Sequence, residues 1–172
     1  MVDLETTYMG MRLAHPVVAS ASPLSKDIDG VKRLEDGGAS AVVMFSLFEE
    51  QIRSEQEALE ALSTAGSESF AESLTYFPRA DSYRVGPDRY LELIRRARES
   101  VRVPVIASLN GMTSEGWIDY AKQMHQAGAS AIELNVYVIA ADLDTNGRDV
   151  EQRLVDILRA VKAAVPIPVA LF

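Results

Sequence analysis

Gly38-Ala39-Ser40-Ala41-Val42 recurs as Gly128-Ala129-Ser130-Ala131-Ile132. Each copy follows a segment with a helical apolar stripe, and each leads into a β-rich apolar run. A glycine there serves as the left-handed cap that ends a helix before the chain enters a sheet. A second pair repeats the other junction: Val103-Pro104-Val105-Ile106-Ala107 against Ile167-Pro168-Val169-Ala170-Leu171. Proline costs little at a strand entrance, where the hydrogen-bond ladder has not begun. Repeated helix-to-strand junctions predict βα units and a right-handed parallel sheet.

Working outward, five apolar runs qualify as strands: Val17–Ala21, Ala41–Leu47, Val103–Leu109, Ala131–Val136 and Ile167–Phe172. They are continuous rather than alternating, as in strands covered by helices on both faces. Helical stripes fall between them. Ile28, Val31 and Leu34 form one. Tyr90, Ile94, Ala97 and Val101 form another, after the start signal Gly86-Pro87-Asp88. Trp117, Ala121 and Met124 form a third, opened by Thr113 or Ser114. Val150, Leu154, Leu158 and Val161 form a fourth, with Asp149 and Gln152 spaced like a capping box.

The expected fold is therefore α/β: a truncated (β/α)8 TIM barrel of about five parallel strands, one partial domain spanning 1–172. A complete barrel needs roughly 250 residues, and this chain has 172. Residues 49–86 read as an insertion after the second strand, helical over Glu50–Ala65 and loop-like over Thr75–Val85. Long loops at that end of a barrel often cover a site, and a decorative insertion is the alternative. Phe172 falls inside the last predicted strand, so the sheet edge is expected to be open and apolar, a surface for self-association.

Net charge is −8 and the basic residues are scattered, which argues against nucleic acid as a partner. There is no cysteine, so thiolate chemistry and disulfides are excluded, in keeping with a cytoplasmic location. The first residues are mixed and polar, with no visible signal peptide. No apolar run reaches the ~20 residues of a membrane helix.

Asp142-Leu-Asp144-Thr-Asn146-Gly147 resembles the start of a calcium loop, but Arg153 stands at the twelfth position, where a bidentate Glu is needed. His15 and His125 have no partner at ligand spacing, so no metal site is expected. There is no Gly-x-Gly-x-x-Gly and no Walker loop. What remains is small and polar residues at strand C-terminal ends: Ser20 and Ser22, Ser46, Ser108 with Asn110, and Asn135. Barrel enzymes put their functional groups there. Small side chains let a flat cofactor approach the backbone, and amides can bond its polar edge. Turns also favour Ser and Asn, so the signal lies in its recurrence at four of the five strand ends.

These ends resemble the dihydroorotate dehydrogenase family of flavin enzymes. The resemblance rests on Asp3-Leu-Glu-Thr-Thr-Tyr-Met-Gly10, Pro16-Val-Val-Ala-Ser-Ala21, Ser108-Leu-Asn-Gly111 and Glu133-Leu-Asn135. It covers nearly the whole chain and corresponds to about the first five barrel strands. It implies an FMN-dependent oxidoreductase of pyrimidine metabolism, acting on a small-molecule substrate. The implied cofactor residues are Ala19, Ser20, Ala21, Ser46, Ser108 and Asn135. The implied substrate residues are Asn110 and Asn135.

Several family positions differ. Phe45 aligns with a flavin lysine, Arg84 falls near an expected Asn, and Phe172 aligns with a second lysine. Where the family carries a Cys or Ser base, this chain has Val138, which cannot take a proton. Neighbouring Tyr137, with an ordinary pKa near ~10, is a poor base. No catalytic residue is therefore named. Two other readings stand beside the oxidoreductase: a non-catalytic barrel remnant that pairs with itself or another chain, and an aldolase-type barrel. The last would need a Schiff-base lysine at a strand end, and Lys26, Lys32, Lys122 and Lys162 read as loop or helix residues.

Overall fold

The computed structural model describes residues 2–50, 52, 54, 87–111, 114–137 and 145–172. Most of the 49–86 insertion, including the helix read over Glu50–Ala65 and the loop over Thr75–Val85, lies outside the described residues. So do Thr113, Val138, Asp142 and Asp144.

The chain opens with an antiparallel hairpin, β1 (Thr6–Tyr8) and β2 (Met11–Leu13), which the mixed polarity of this segment conceals. Met9 and Gly10 form its turn, both at positive φ, the backbone that a tight two-residue hairpin requires. The parallel sheet follows. It consists of β3 (Val42–Val43), β4 (Leu47–Phe48), β5 (Val105–Asn110), β6 (Ala131–Leu134) and β7 (Val169–Leu171). Its order is β3-β5-β6-β7, with β4 also paired to β5, and every pairing is parallel. The helices are α1 (Ile28–Asp36), α2 (Pro87–Ser100), α3 (Ser114–Gln126) and α4 (Gly147–Ala164). Among the described residues, none is long and apolar enough to cross a membrane.

The repeated glycines behave as their spacing predicts. Gly38 and Gly128 have φ of +92° and +96°, and each lies just beyond a helix. Gly30 answers a different demand. A Cβ there would lie 1.9 Å from the Leu24 carbonyl oxygen, so only glycine lets α1 start against the preceding 3₁₀ turn. Asp27 caps that helix, accepting from the Gly30 N–H at 2.7 Å.

Two sequence readings need correction. The run Val17–Ala21 forms only an isolated parallel bridge, Ala19 to Val42. Hydrogen bonds from Ser40 N–H to Val17 O, Ala19 N–H to Ala41 O and Val43 N–H to Ala19 O still align it with β3. The pairing ends because the chain turns at Ser22, whose hydroxyl accepts from Leu24 N–H. The cap of α4 is Asn146, not Asp149. Asn146 Oδ1 accepts from Asp149 N–H at 3.1 Å, and its amide donates to the Asp149 carboxylate at 2.7 Å. The reciprocal pairing anticipated for Asp149 thus occurs one turn earlier.

Strand alternation divides the core. Val42, Met44, Val105, Ala107, Leu109, Ile132 and Leu134 pack under the helices with Ile94, Trp117 and Met124. The opposite face carries Ala41, Val43, Ile106 and Ala131, covered by Leu13 and flanked by Tyr8, Met9 and Met11 of the hairpin. The hairpin therefore plugs the inner face at the N-terminal end of the sheet, and the C-terminal end is left for polar residues.

The predicted strand Ala41–Leu47 is broken. Val43 pairs with Ile106, whereas Leu47 pairs with Leu109. Three residues, Met44 to Ser46, therefore face the two residues Ala107 and Ser108, which is a β-bulge. The extra residue shifts the side-chain phase. Phe45 packs on the helix side, its ring edge-on to Tyr90 with centroids 5.1 Å apart. Ser46 is thereby turned to the inner face.

Candidate functional site

Beside the bulge the Tyr90 hydroxyl bonds the Ser108 backbone. It accepts from Ser108 N–H at 3.0 Å and donates to Ser108 C=O at 3.2 Å. Tyr90 is buried, and that burial pushes its phenol well above its ordinary range, outweighing the lowering effect of the Ser108 backbone; the nearby Glu133 charge adds to the rise. A group so held is a structural bridge rather than an acid or base.

Above this bridge the Ser108 side chain is the hub of a polar cluster. Its hydroxyl lies 2.8 Å from the Ser46 hydroxyl and accepts from the Asn135 amide at 2.9 Å. Register puts Ser108 opposite Glu133, and Glu133 opposite Ala170. Glu133 is half-buried on the same inner face. Burial raises its carboxyl above the ordinary range, against hydrogen bonding from Asn135 and Ser108 that favours the charge. The charge in turn helps raise the phenol of Tyr8 in the hairpin, whose main cause is burial.

One layer further on, Asn110 and Asn135 line a cavity of about 370 Å³ with Gly111, Trp117, Tyr137 and Arg153. The Asn110 side-chain oxygen is buried with no hydrogen-bond partner among the described residues. Leaving such a group unpaired costs about 1–3 kcal/mol, and a ligand donor is one natural explanation. A Cβ on Gly111 would lie 2.8 Å from the Trp117 indole, so the turn after β5 must be glycine for the indole to form the wall. The strand β4 leads into Glu49, which is buried, and a Cβ on Gly116 would lie 2.7 Å from its carboxylate. Glycine at 116 thus lets this acid sit against the first turn of α3, where a negative charge is favoured.

The structure joins Ser46, Ser108 and Asn135 directly, and Asn110 to Asn135 through the shared cavity. Ala19 is bridged to Val42, level with Val105 and three residues before Ser108 along the sheet. Ser20 and Ala21 continue from it, and among the described residues neither hydrogen-bonds to the cluster. Sequence reading missed Tyr90, which looked like one more apolar position of a helical stripe. It also left Glu133 without a role, although an acid in an otherwise apolar strand is a visible signal. His15 accepts from the Val17 N–H at 3.3 Å, and His125 lies in the last turn of α3. Among the described residues no three His, Asp or Glu gather as a metal site. Phe172 is 63% exposed rather than buried, because β7 ends at Leu171, although its backbone still bonds Leu134 and Val136.

A parallel sheet flanked by helices, with polar residues gathered at strand C-terminal ends, defines a TIM-barrel-type α/β domain. Comparison with known proteins agrees on the fold. The chain is similar to dihydrodipicolinate synthase DapA-2 of Bacillus anthracis, with a TM-score of 0.52 and 19% identity, covering 99% of this chain and 46% of that one. It is similar also to a putative dihydrodipicolinate synthase family protein from Coccidioides immitis, with a TM-score of 0.50 and 15% identity, over 91% and 41% of the two chains. In sequence it is 28% identical to the catalytic subunit of dihydroorotate dehydrogenase B (NAD(+)) from Thermoplasma acidophilum. That match covers 98% of this chain and 53% of the relative, so the chain spans about half the relative's length. No family model matches the chain.

Proposed function

We propose that this chain forms part of the flavin site of an FMN-dependent oxidoreductase of the dihydroorotate dehydrogenase type. The observation that carries the reading is the pair of asparagines on one cavity. Asn135 is anchored through Ser108, and Asn110 presents a buried carbonyl oxygen without a partner among the described residues. A flavin ring has a polar edge of donors and acceptors and two flat apolar faces. The cavity offers amides for the edge and Gly111 and Trp117 for a face. The residues present therefore fit an isoalloxazine.

Asn110 would accept an N–H of the ring or substrate, and Asn135 would orient the same edge. Ser46 and Ser108 would hold Asn135 in place, and the backbone of Ala19 to Ala21 would close the site from the neighbouring strand. The flavin, when bound, supplies the hydride acceptor. The similarity to the dihydroorotate dehydrogenase B subunit over nearly the whole chain supports the same reading.

An aldolase reading would draw on the fold likeness to the synthases. It needs an amine at a strand end. Lys26 follows the 3₁₀ turn, Lys32 is on α1, Lys122 on α3 and Lys162 on α4, all exposed. None stands at a strand end.

The test is titration of FMN into the chain, followed by flavin fluorescence. Saturable quenching at micromolar FMN is expected, with Asn135→Ala and Asn110→Ala each weakening binding by about two- to tenfold, the worth of one hydrogen bond. No binding by a chain with a native circular dichroism spectrum would favour the non-catalytic reading.

A further inference from the structure

Glu133 is a titratable group that the flavin reading does not use. Strand alternation fixes its place. It shares the inner face with Ala131, one step below Asn135, and its neighbours in register are Ser108 and the small Ala170. Among the described residues no cation pairs with it. A half-buried carboxylate is favoured by nearby donors, and those beside it are the Ser108 hydroxyl and the Asn135 amide.

These donors have limited capacity. The Asn135 amide nitrogen carries two protons, and one already goes to the Ser108 oxygen. The second can go to Glu133. The Ser108 hydroxyl has a single proton. With Glu133 ionised, that proton points to the carboxylate and the Ser46 hydroxyl donates to Ser108. The Asn135 nitrogen is then fully committed inward, and its oxygen, which accepts nothing among the described residues, faces the cavity. With Glu133 protonated, the acid no longer demands both donors, and the amide can turn over.

We propose that Glu133 is a positioning residue: its carboxylate draws the Asn135 amide nitrogen and Ser108 hydroxyl inward. The Asn135 oxygen then stands beside that of Asn110 as a paired acceptor for ligand N–H groups. The site therefore selects ligands with N–H donors along one edge, and binding is linked to the proton on Glu133. This rests on the reading that the cavity is the ligand site. The titratable groups that sense Glu133 are Tyr8 in β1 and Tyr90 in α2, and both stay neutral because burial raises their phenols. Asp119, Lys122 and His125 of α3 belong to the helix layer on the opposite side of the sheet. Arg153 and Glu50 line the cavity.

The experiment is a pH titration of the full chain by NMR, following the Asn135 side-chain amide, repeated on Glu133→Gln and paired with FMN titrations at each pH. In the wild type the Asn135 amide should shift with a midpoint above the ordinary Glu range, and FMN should bind about three- to tenfold tighter above that midpoint. In Glu133→Gln both dependences should vanish. An Asn135 amide that does not move with pH, or that moves identically in Glu133→Gln, would overturn the proposal. Should the variant fail to fold, the wild-type amide titration alone decides. FMN binding without an amide shift would overturn the role of Glu133 and leave the flavin reading. An amide shift without FMN binding would uphold the positioning role and retire the flavin.

Discussion

Tyr90→Phe removes one oxygen and tests how the bulge beneath the site is held. The ring would stay in the core and keep its edge contact with Phe45. What would be lost is the pair of hydrogen bonds to Ser108, leaving its buried N–H without this partner. An orphaned buried N–H costs about 1–3 kcal/mol. The bond to the C=O is lost as well, while the cost of burying the hydroxyl is escaped, so the net loss is about 2 kcal/mol. In a chain of this size 1 kcal/mol moves the melting temperature by about 2–4 °C, giving a fall of roughly 4–8 °C. Urea unfolding should show a lower midpoint with an unchanged slope, because the exposed surface is the same. Amide exchange at Ser108 should accelerate more than at Ile106, which keeps its ladder. A variant within about 0.5 kcal/mol of the wild type, with Ser108 equally protected, would refute the claim that the hydroxyl holds the backbone beside the bulge.

The raised Glu133 carboxyl makes stability pH-dependent in a definite direction. The folded state holds this proton more tightly than the unfolded chain, whose value is near 4.5. Stability from this group is therefore full below that value and lost as pH rises through the folded value. The melting temperature of Glu133→Gln minus that of the wild type should grow across that window and then level off. A difference that shrinks with rising pH would contradict the assignment. Among the described strands β7 pairs on one side only, with β6, and Phe172 beside it is exposed. The 172-residue chain should accordingly self-associate through that edge, and a concentration-independent monomer by light scattering would speak against it.

Much of this was legible in the sequence, for a physical reason. Helix periodicity, glycine caps at Gly38 and Gly128, and prolines at 104 and 168 are local demands of the backbone, and local demands leave local marks. The parallel sheet follows from them, because each helix must cover an adjacent pair of strands. Ser46, Ser108, Asn110 and Asn135 were visible as polar residues where apolar runs end. Other features depend on residues far apart in the chain. The bulge that turns Ser46 inward and Phe45 outward exists only in relation to β5. The Tyr90 hydroxyl looks like one more position of a helical stripe until its bonds to the Ser108 backbone are seen. Glu133 was legible as an acid in an apolar strand, but its place beside Ser108 on the inner face, with no ion pair among the described residues, is a property of packing. Sequence alone determined the βα rhythm and which strand ends are polar. Only tertiary structure decided which of those polar groups meet, because hydrogen-bond partners are chosen by register across the sheet rather than by order along the chain.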